Sequence, residues 1–208
     1  MKINIVGLGV GNIDYMTTAG KKIIKSSEIV IGGERQIKDI TPILTNQTRY
    51  IVKNFSDMIL FIEENREKNI SVIVSGDTGF YSLLNYMKRY FKNEDLNIVP
   101  GISSFQYLFS KIGESWENYG LYSVHGRELD IVEVLKNSIA GIVLLTDSKN
   151  SPYYIGRILM KNKISDIKMI VGENLSYKNE KISEFYLEDL EKYNRDFDMN
   201  VLIIKKEK

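Results

Sequence analysis

Three glycine-rich segments, each closing an apolar run and each followed by a helix-like stretch, restrict this chain more than any other feature. They are Gly7-Leu8-Gly9-Val10-Gly11, Gly76-Asp77-Thr78-Gly79-Phe80-Tyr81-Ser82 and Val99-Pro100-Gly101-Ile102-Ser103-Ser104. Repeated strand–glycine–helix order predicts an α/β fold with a mostly parallel sheet. In such sheets ligands bind beyond the carboxyl ends of the strands. Glycine lets the backbone approach a ligand with no Cβ in the way. Three such ends in one half of 208 residues point to one shared ligand site.

Composition removes several kinds of chemistry. There is no cysteine, which excludes disulfides, thiolate catalysis and cysteine-ligated metals. His125 is the only histidine, so no histidine metal cluster can form and no metal site is expected. A Ser-His-Asp triad would have to use His125, and no Gly-x-Ser-x-Gly elbow is present. The net charge of +1 supplies no basic field for nucleic acid. No apolar run reaches the roughly 18 residues of a membrane span. The opening Met1-Lys2-Ile3-Asn4-Ile5-Val6 enters a strand with no signal-peptide pattern, and a cytoplasmic location is expected.

Along the chain, strands are expected at Lys2–Leu8, Glu28–Ile31, Ile70–Val74 and Asn97–Val99. Helices are expected after a cap at Thr17 or Thr18, at Glu34–Ile40 before Pro42, at Phe55–Lys68, at Phe80–Phe91 and at Ser103–Ile112. The pattern loosens between Gly113 and Tyr119, which predicts two domains, 1–113 and 119–208. The second half reads as strand Leu121–Val124, helix Asp130–Asn137, strand Gly141–Thr146, helix Tyr153–Met160 and strand Ile167–Val171. Strands Lys181–Tyr186 and Met199–Ile204 then follow a polar stretch, which predicts a mixed sheet.

Each motif alone admits a structural and a functional reading. Gly7-Leu8-Gly9-Val10-Gly11 fits a dinucleotide turn poorly, because Asn12–Met16 separates it from the first helix cap. It also reads as a tight strand-to-loop turn. Asp77 could hold a hydroxyl or an amine, or cap the following helix. Ser103 and Ser104 could touch a ligand or satisfy helix amides. His125 and Arg127 flank Gly126 at a strand end, where Arg127 could fork onto a carboxylate or pair with Glu128. Gly172-Glu173-Asn174-Leu175 is a further turn after a strand.

Taken together, these segments resemble the tetrapyrrole methylase family over nearly the whole chain. Val99-Pro100-Gly101-Ile102-Ser103-Ser104-Phe105-Gln106 with Ser123-Val124-His125-Gly126-Arg127 is similar to its cobalt-precorrin-7 C5-methyltransferase group, the C5-methylating part of precorrin-6Y methyltransferase. The chain departs from the wider family at Asn12 and Thr78, where proline is common. The resemblance implies two α/β domains, a mostly parallel N-terminal sheet and a mixed C-terminal one, with S-adenosylmethionine in the interdomain cleft. It implies cofactor contacts at Gly7, Gly9, Gly76, Asp77, Thr78, Ser103 and Ser104, and in the second domain at Leu145, Thr146, Gly172, Glu173 and Asn174. The implied reaction is C-methylation of a corrin-ring precursor at C5, in cobalamin biosynthesis. Arg127 would meet acetate or propionate groups of the corrinoid substrate, and His125 would assist proton movement or hydrogen-bond a carboxylate. A homodimer, and cooperation with a separate enzyme that methylates C15 and decarboxylates, are implied as well; neither nucleic acid nor membrane is an expected partner. The alternatives are the same chemistry at another tetrapyrrole position, or a nucleotide-binding module without chemistry.

Overall fold

The computed structural model describes residues 2–207. The chain divides into two compact units, Met1–Ser104 and Phe105–Lys208.

In the first unit five strands form an entirely parallel sheet: β1 (Ile3–Gly7), β2 (Ile29–Gly32), β3 (Thr48–Ile51), β4 (Ile70–Val74) and β5 (Leu96–Val99), in the order β3-β2-β4-β1-β5. Every residue of β1, β2 and β4 is buried, the pattern of strands covered on both faces. Side-chain alternation sorts them. Ile3, Ile5, Ile29, Ile31, Ile70 and Val72 pack with Met58, Ile59 and Ile62 of α3 (Phe55–Glu64) and Met87 of α4 (Leu84–Met87). Val6, Val30 and Ile73 pack with Ile24 of α1 (Thr18–Ser26) and Ile37 and Ile40 of α2 (Glu34–Ile40). Each such fully buried aliphatic side chain contributes about 1.5–3 kcal/mol. Thr17 caps α1 as expected, its Oγ1 accepting from the Gly20 amide at 3.1 Å.

Two elements differ from the sequence expectation. The helix expected at Phe80–Phe91 is reduced to the single turn of α4. Tyr81 has φ +48°, a left-handed conformation that no right-handed helix continues through. Strand β3 was not expected at all: it lies at the sheet edge, and three of its four residues are exposed.

The second unit takes in α5 (Ser104–Ile112) from Phe105 onward, whereas the division 1–113 and 119–208 assigns that helix to the first. On its apolar face the Phe109 ring packs edge-on to Tyr119 at 4.9 Å, and Leu108 borders Gly172. The sheet is mixed, as expected: β6 (Tyr119–Ser123), β7 (Gly141–Leu145), β8 (Ile167–Glu173), β9 (Lys181–Tyr186) and β10 (Asn200–Lys206), in the order β6-β7-β10-β8-β9. β10 runs antiparallel to both neighbours, so β6, β7 and β8 point the same way and end where β10 begins. Leu144, Met169, Val171, Leu202 and Ile204 build one core with α6 (Ile131–Asn137) and α7 (Pro152–Lys161).

Candidate active site

The carboxyl ends of β1, β4 and β5 meet backbone to backbone. Leu8 N donates to Val74 O at 2.8 Å, and Gly9 and Gly76 exchange two backbone hydrogen bonds, Gly9 N to Gly76 O at 3.1 Å and Gly76 N to Gly9 O at 2.9 Å. A Cβ on Gly7 would lie 2.5 Å from Gly101 N and 2.7 Å from Gly76 O. A Cβ on Gly101 would lie 2.2 Å from Gly76 O. The glycines thus let three strand ends close on one another, and Gly9 and Gly76 also take positive φ, +81° and +64°.

That closure gathers Gly7, Gly9, Gly76, Asp77, Thr78 and Ser103 in one place. Thr78 and Ser103 are buried, 3% and 4% exposed. Asp77 accepts from the Gly79 amide through Oδ1 at 2.7 Å and from the Gly101 amide through Oδ2 at 3.3 Å. An ionised carboxylate has about four acceptor positions, so these two bonds orient Asp77 and leave it able to receive a ligand hydroxyl or amine. A set of one carboxylate, two small hydroxyls and glycine backbone suits the ribose and amino-acid ends of S-adenosylmethionine. At the next strand end, sequence reasoning passed over Arg35: its Nη2 and Gln36 Nε2 both donate to Ser75 Oγ, at 2.6 and 2.9 Å.

The second unit gathers the remaining sequence candidates at the ends of β6, β7 and β8. His125 Nδ1 lies 3.2 Å from Thr146 O. A carbonyl can only accept, so Nδ1 carries the proton, and in the tautomer this selects Nε2 is the acceptor. Thr146 Oγ1 donates to Asn200 Oδ1 at 2.7 Å and lies 3.1 Å from Asn200 O. Asn200 Nδ2 donates to Asp198 O at 2.8 Å. The Asp198 amide in turn donates to Glu173 Oε1 at 3.1 Å. Arg195 grips the same carboxylate with both Nη atoms, Nη1 at 2.8 Å from Oε1. Asn174, in a left-handed turn at φ +47°, donates through Nδ2 to Asp198 at 2.8 Å. Leu145 closes β7, and Arg127 is exposed two residues beyond His125.

Burial alone would raise the pKa of Glu173. The Arg195 hydrogen bonds and charge and the Asp198 amide outweigh it and hold the carboxyl below its ordinary value. Glu173 is therefore an ion-pair anchor for the turn around it. Sequence reasoning missed Arg195, because the pairing depends on how the segment before β10 folds back beside β8. It also missed Asp147 and Asn150, which lie in the turn after β7.

The family model of the Tetrapyrrole (Corrin/Porphyrin) Methylases matches residues 2–191 of the chain. The probable cobalt-precorrin-7 C(5)-methyltransferase of Methanocaldococcus jannaschii is 32% identical over 196 residues, 87% of each chain. The cobalt-precorrin-7 C(5)-methyltransferase of Salmonella typhimurium is 28% identical over 206 residues, 99% of this chain and 100% of that one. Among solved structures, the uroporphyrin-III C-methyl transferase of Thermus thermophilus, complexed with S-adenosylhomocysteine, superposes with a TM-score of 0.80 at 15% identity, covering 99% of this chain and 97% of that one.

Proposed function

The chain belongs to the tetrapyrrole methylases, and we propose that it transfers a methyl group from S-adenosylmethionine to C5 of a corrin-ring precursor of the cobalt-precorrin-7 type. The observation that carries this reading is the 32% identity to the Methanocaldococcus jannaschii protein over 87% of the chain, which spans both units.

When bound, S-adenosylmethionine supplies an electrophilic methyl group on a sulfonium. The protein then needs no nucleophilic side chain of its own, which agrees with a chain lacking cysteine. Its task is alignment, and well-oriented reactants can save about 7–11 kcal/mol of barrier. Gly7, Gly9, Gly76, Asp77, Thr78, Ser103 and Ser104 would hold the cofactor in the first unit. Leu145, Thr146, Gly172 and Asn174 would contribute from the second, with Glu173 fixing their turn through Arg195. Arg127 would receive an acetate or propionate group of the acceptor. His125 would accept a hydrogen bond or a proton at Nε2.

A homodimeric, cytoplasmic enzyme working beside a separate C15-methylating enzyme completes the proposal. No helix among the described residues is long and apolar enough to cross a membrane.

The test is transfer from carbon-13-methyl S-adenosylmethionine to cobalt-precorrin-7, read by mass and NMR. One new methyl at C5 is expected. Transfer to another ring position would overturn the site assignment. Failure both to transfer and to bind S-adenosylhomocysteine would overturn the reaction itself. In the active enzyme, Arg127→Ala should raise KM for the acceptor about tenfold, the loss expected for a charge-assisted hydrogen bond, and leave S-adenosylhomocysteine binding unchanged. His125→Gln should keep most of the turnover; a loss of several orders of magnitude with binding intact would make His125 a proton-transfer group.

A further inference from the structure

We propose that Asp147 is the positioning residue of the His125-Gly126-Arg127 turn, presenting both side chains to the methyl acceptor. The proposal rests on the function assigned above.

Asp147 sits just past β7 and reaches in two directions. Its Oδ1 accepts from the Lys149 and Asn150 amides at 3.0 and 2.7 Å and from Asn150 Nδ2 at 3.2 Å, closing its own turn. Its Oδ2 accepts from the Gly126 amide at 2.8 Å, across to the loop after β6. Asn150 Nδ2 makes a second crossing, donating to Val124 O at 3.0 Å. The neighbouring backbone at Thr146 receives His125 Nδ1. The segment from Thr146 to Asn150 therefore holds the motif at Val124, His125 and Gly126.

Gly126 explains why the acceptor must sit there. Its φ of +63° is left-handed, and a Cβ built on it would meet nothing within 4 Å. The Gly126 amide is held by the hydrogen bond to Asp147, beside the turn's own closing bond from Arg127 N to Val124 O at 3.4 Å. The amides of Asn150 and Gly126 hold the Asp147 carboxyl below its ordinary value, so it stays an acceptor-only group at neutral pH. The titratable side chain acting on it is His125, on the turn it joins, which also favours the ionised carboxyl.

Every partner of Asp147 is an N–H donor, which distinguishes carboxylate from amide. Asp147→Asn keeps an oxygen for the local turn, and asparagine favours such turns. It sets an NH2 group against the Gly126 amide, so the crossing is lost and the local turn survives. We expect Asp147→Asn to lower kcat/KM about tenfold, mainly through KM for the acceptor, since positioning errors near 1 Å can reach a hundredfold. S-adenosylhomocysteine affinity and melting temperature should stay close to the parent values.

The same substitution is then made in the His125→Ala, Arg127→Ala background. There it should cost less than about twofold, because residues that act as a unit are not additive. Equal losses in both backgrounds, or no loss in the parent, would overturn the proposal. So would an unmoved Gly126 amide resonance in Asp147→Asn. If the parent itself binds S-adenosylhomocysteine but methylates no corrinoid, the functional reading falls first and takes this role with it.

Discussion

Gly101→Ala should lower the melting temperature by about 6–12 °C, the largest single-methyl effect expected anywhere in the first unit. The added carbon would sit 2.2 Å from Gly76 O, 2.8 Å from Gly7 C and 2.9 Å from Gly7 Cα. All three obstacles are backbone, so no rotamer change relieves them. The strand ends of β1, β4 and β5 must part, and with them Asp77, whose Oδ2 holds the Gly101 amide. Overpacking costs about 1–3 kcal/mol, and more when nothing yields. At about 3 kcal/mol, and 2–4 °C per kcal/mol for a chain of this size, the stated shift follows. S-adenosylhomocysteine binding should weaken in parallel, because the distortion falls on the proposed cofactor loops. Gly113→Ala is the control: its φ of +70° is strained for alanine, but nothing lies within 4 Å, so it should cost only about 1–2 kcal/mol. Thermal and denaturant unfolding of both variants decide the matter, and equal stability losses would refute the close-approach argument.

Arg195→Ala should cost about 3 kcal/mol at pH 7 and progressively less in acid. The Glu173 side chain is 4% exposed and that of Arg195 33%. Removing one partner of a buried pair leaves an uncompensated charge, about 3–5 kcal/mol, and the partial exposure of Arg195 places this pair at the low end. The direction with pH follows from Glu173. Its folded pKa lies below the ordinary 4.5, so its contribution is present above that value and is lost as pH falls through the folded pKa. Without Arg195, burial acts with less opposition and favours the neutral acid. The gap between parent and variant should therefore shrink as pH falls from 7 through 4.5. Adding Glu173→Gln to the Arg195→Ala variant should recover part of the loss at pH 7. Denaturant unfolding across this range measures both effects, and a gap that does not change with pH would show that the charge of Glu173 is not its source.

Much of the fold was legible because its strands are continuous apolar runs between glycines. Glu34–Ile40, Ile70–Val74 and Lys181–Tyr186 have the bounds read from sequence. β3 was illegible because Thr-Arg-Tyr-Ile at an exposed edge has neither an apolar run nor a clean alternation. The shortened α4 was illegible because the left-handed conformation of Tyr81 belongs to the loop it closes, not to its residue type. The glycine cluster of the first unit could be anticipated, since each glycine ends a strand. What could not be anticipated is that Gly101 and Gly7 face each other's backbone, which depends on β1 and β5 being neighbours. Asp147 and Arg195 escaped for the same reason. Their partners, Gly126 and Glu173, lie 21 and 22 residues away and meet them only through sheet register.

The order of strands gives the two units opposite histories during synthesis. In the first sheet a central strand, β1, leaves the ribosome before its neighbours, and β4 and β5 can add to it as they emerge. In the second, the central strand is β10, made after all the others. Until it arrives, β6 with β7 and β8 with β9 can pair, while the inner edges of β7 and β8 stay open. Those edges are the apolar runs Ile142–Leu144 and Met169–Val171, and open apolar edges recruit other chains. A nascent chain halted before Asn200 would hold two unjoined two-stranded pieces, one parallel and one antiparallel, and a sticky seam, with the His125 and Glu173 ends of the sheet not yet brought together.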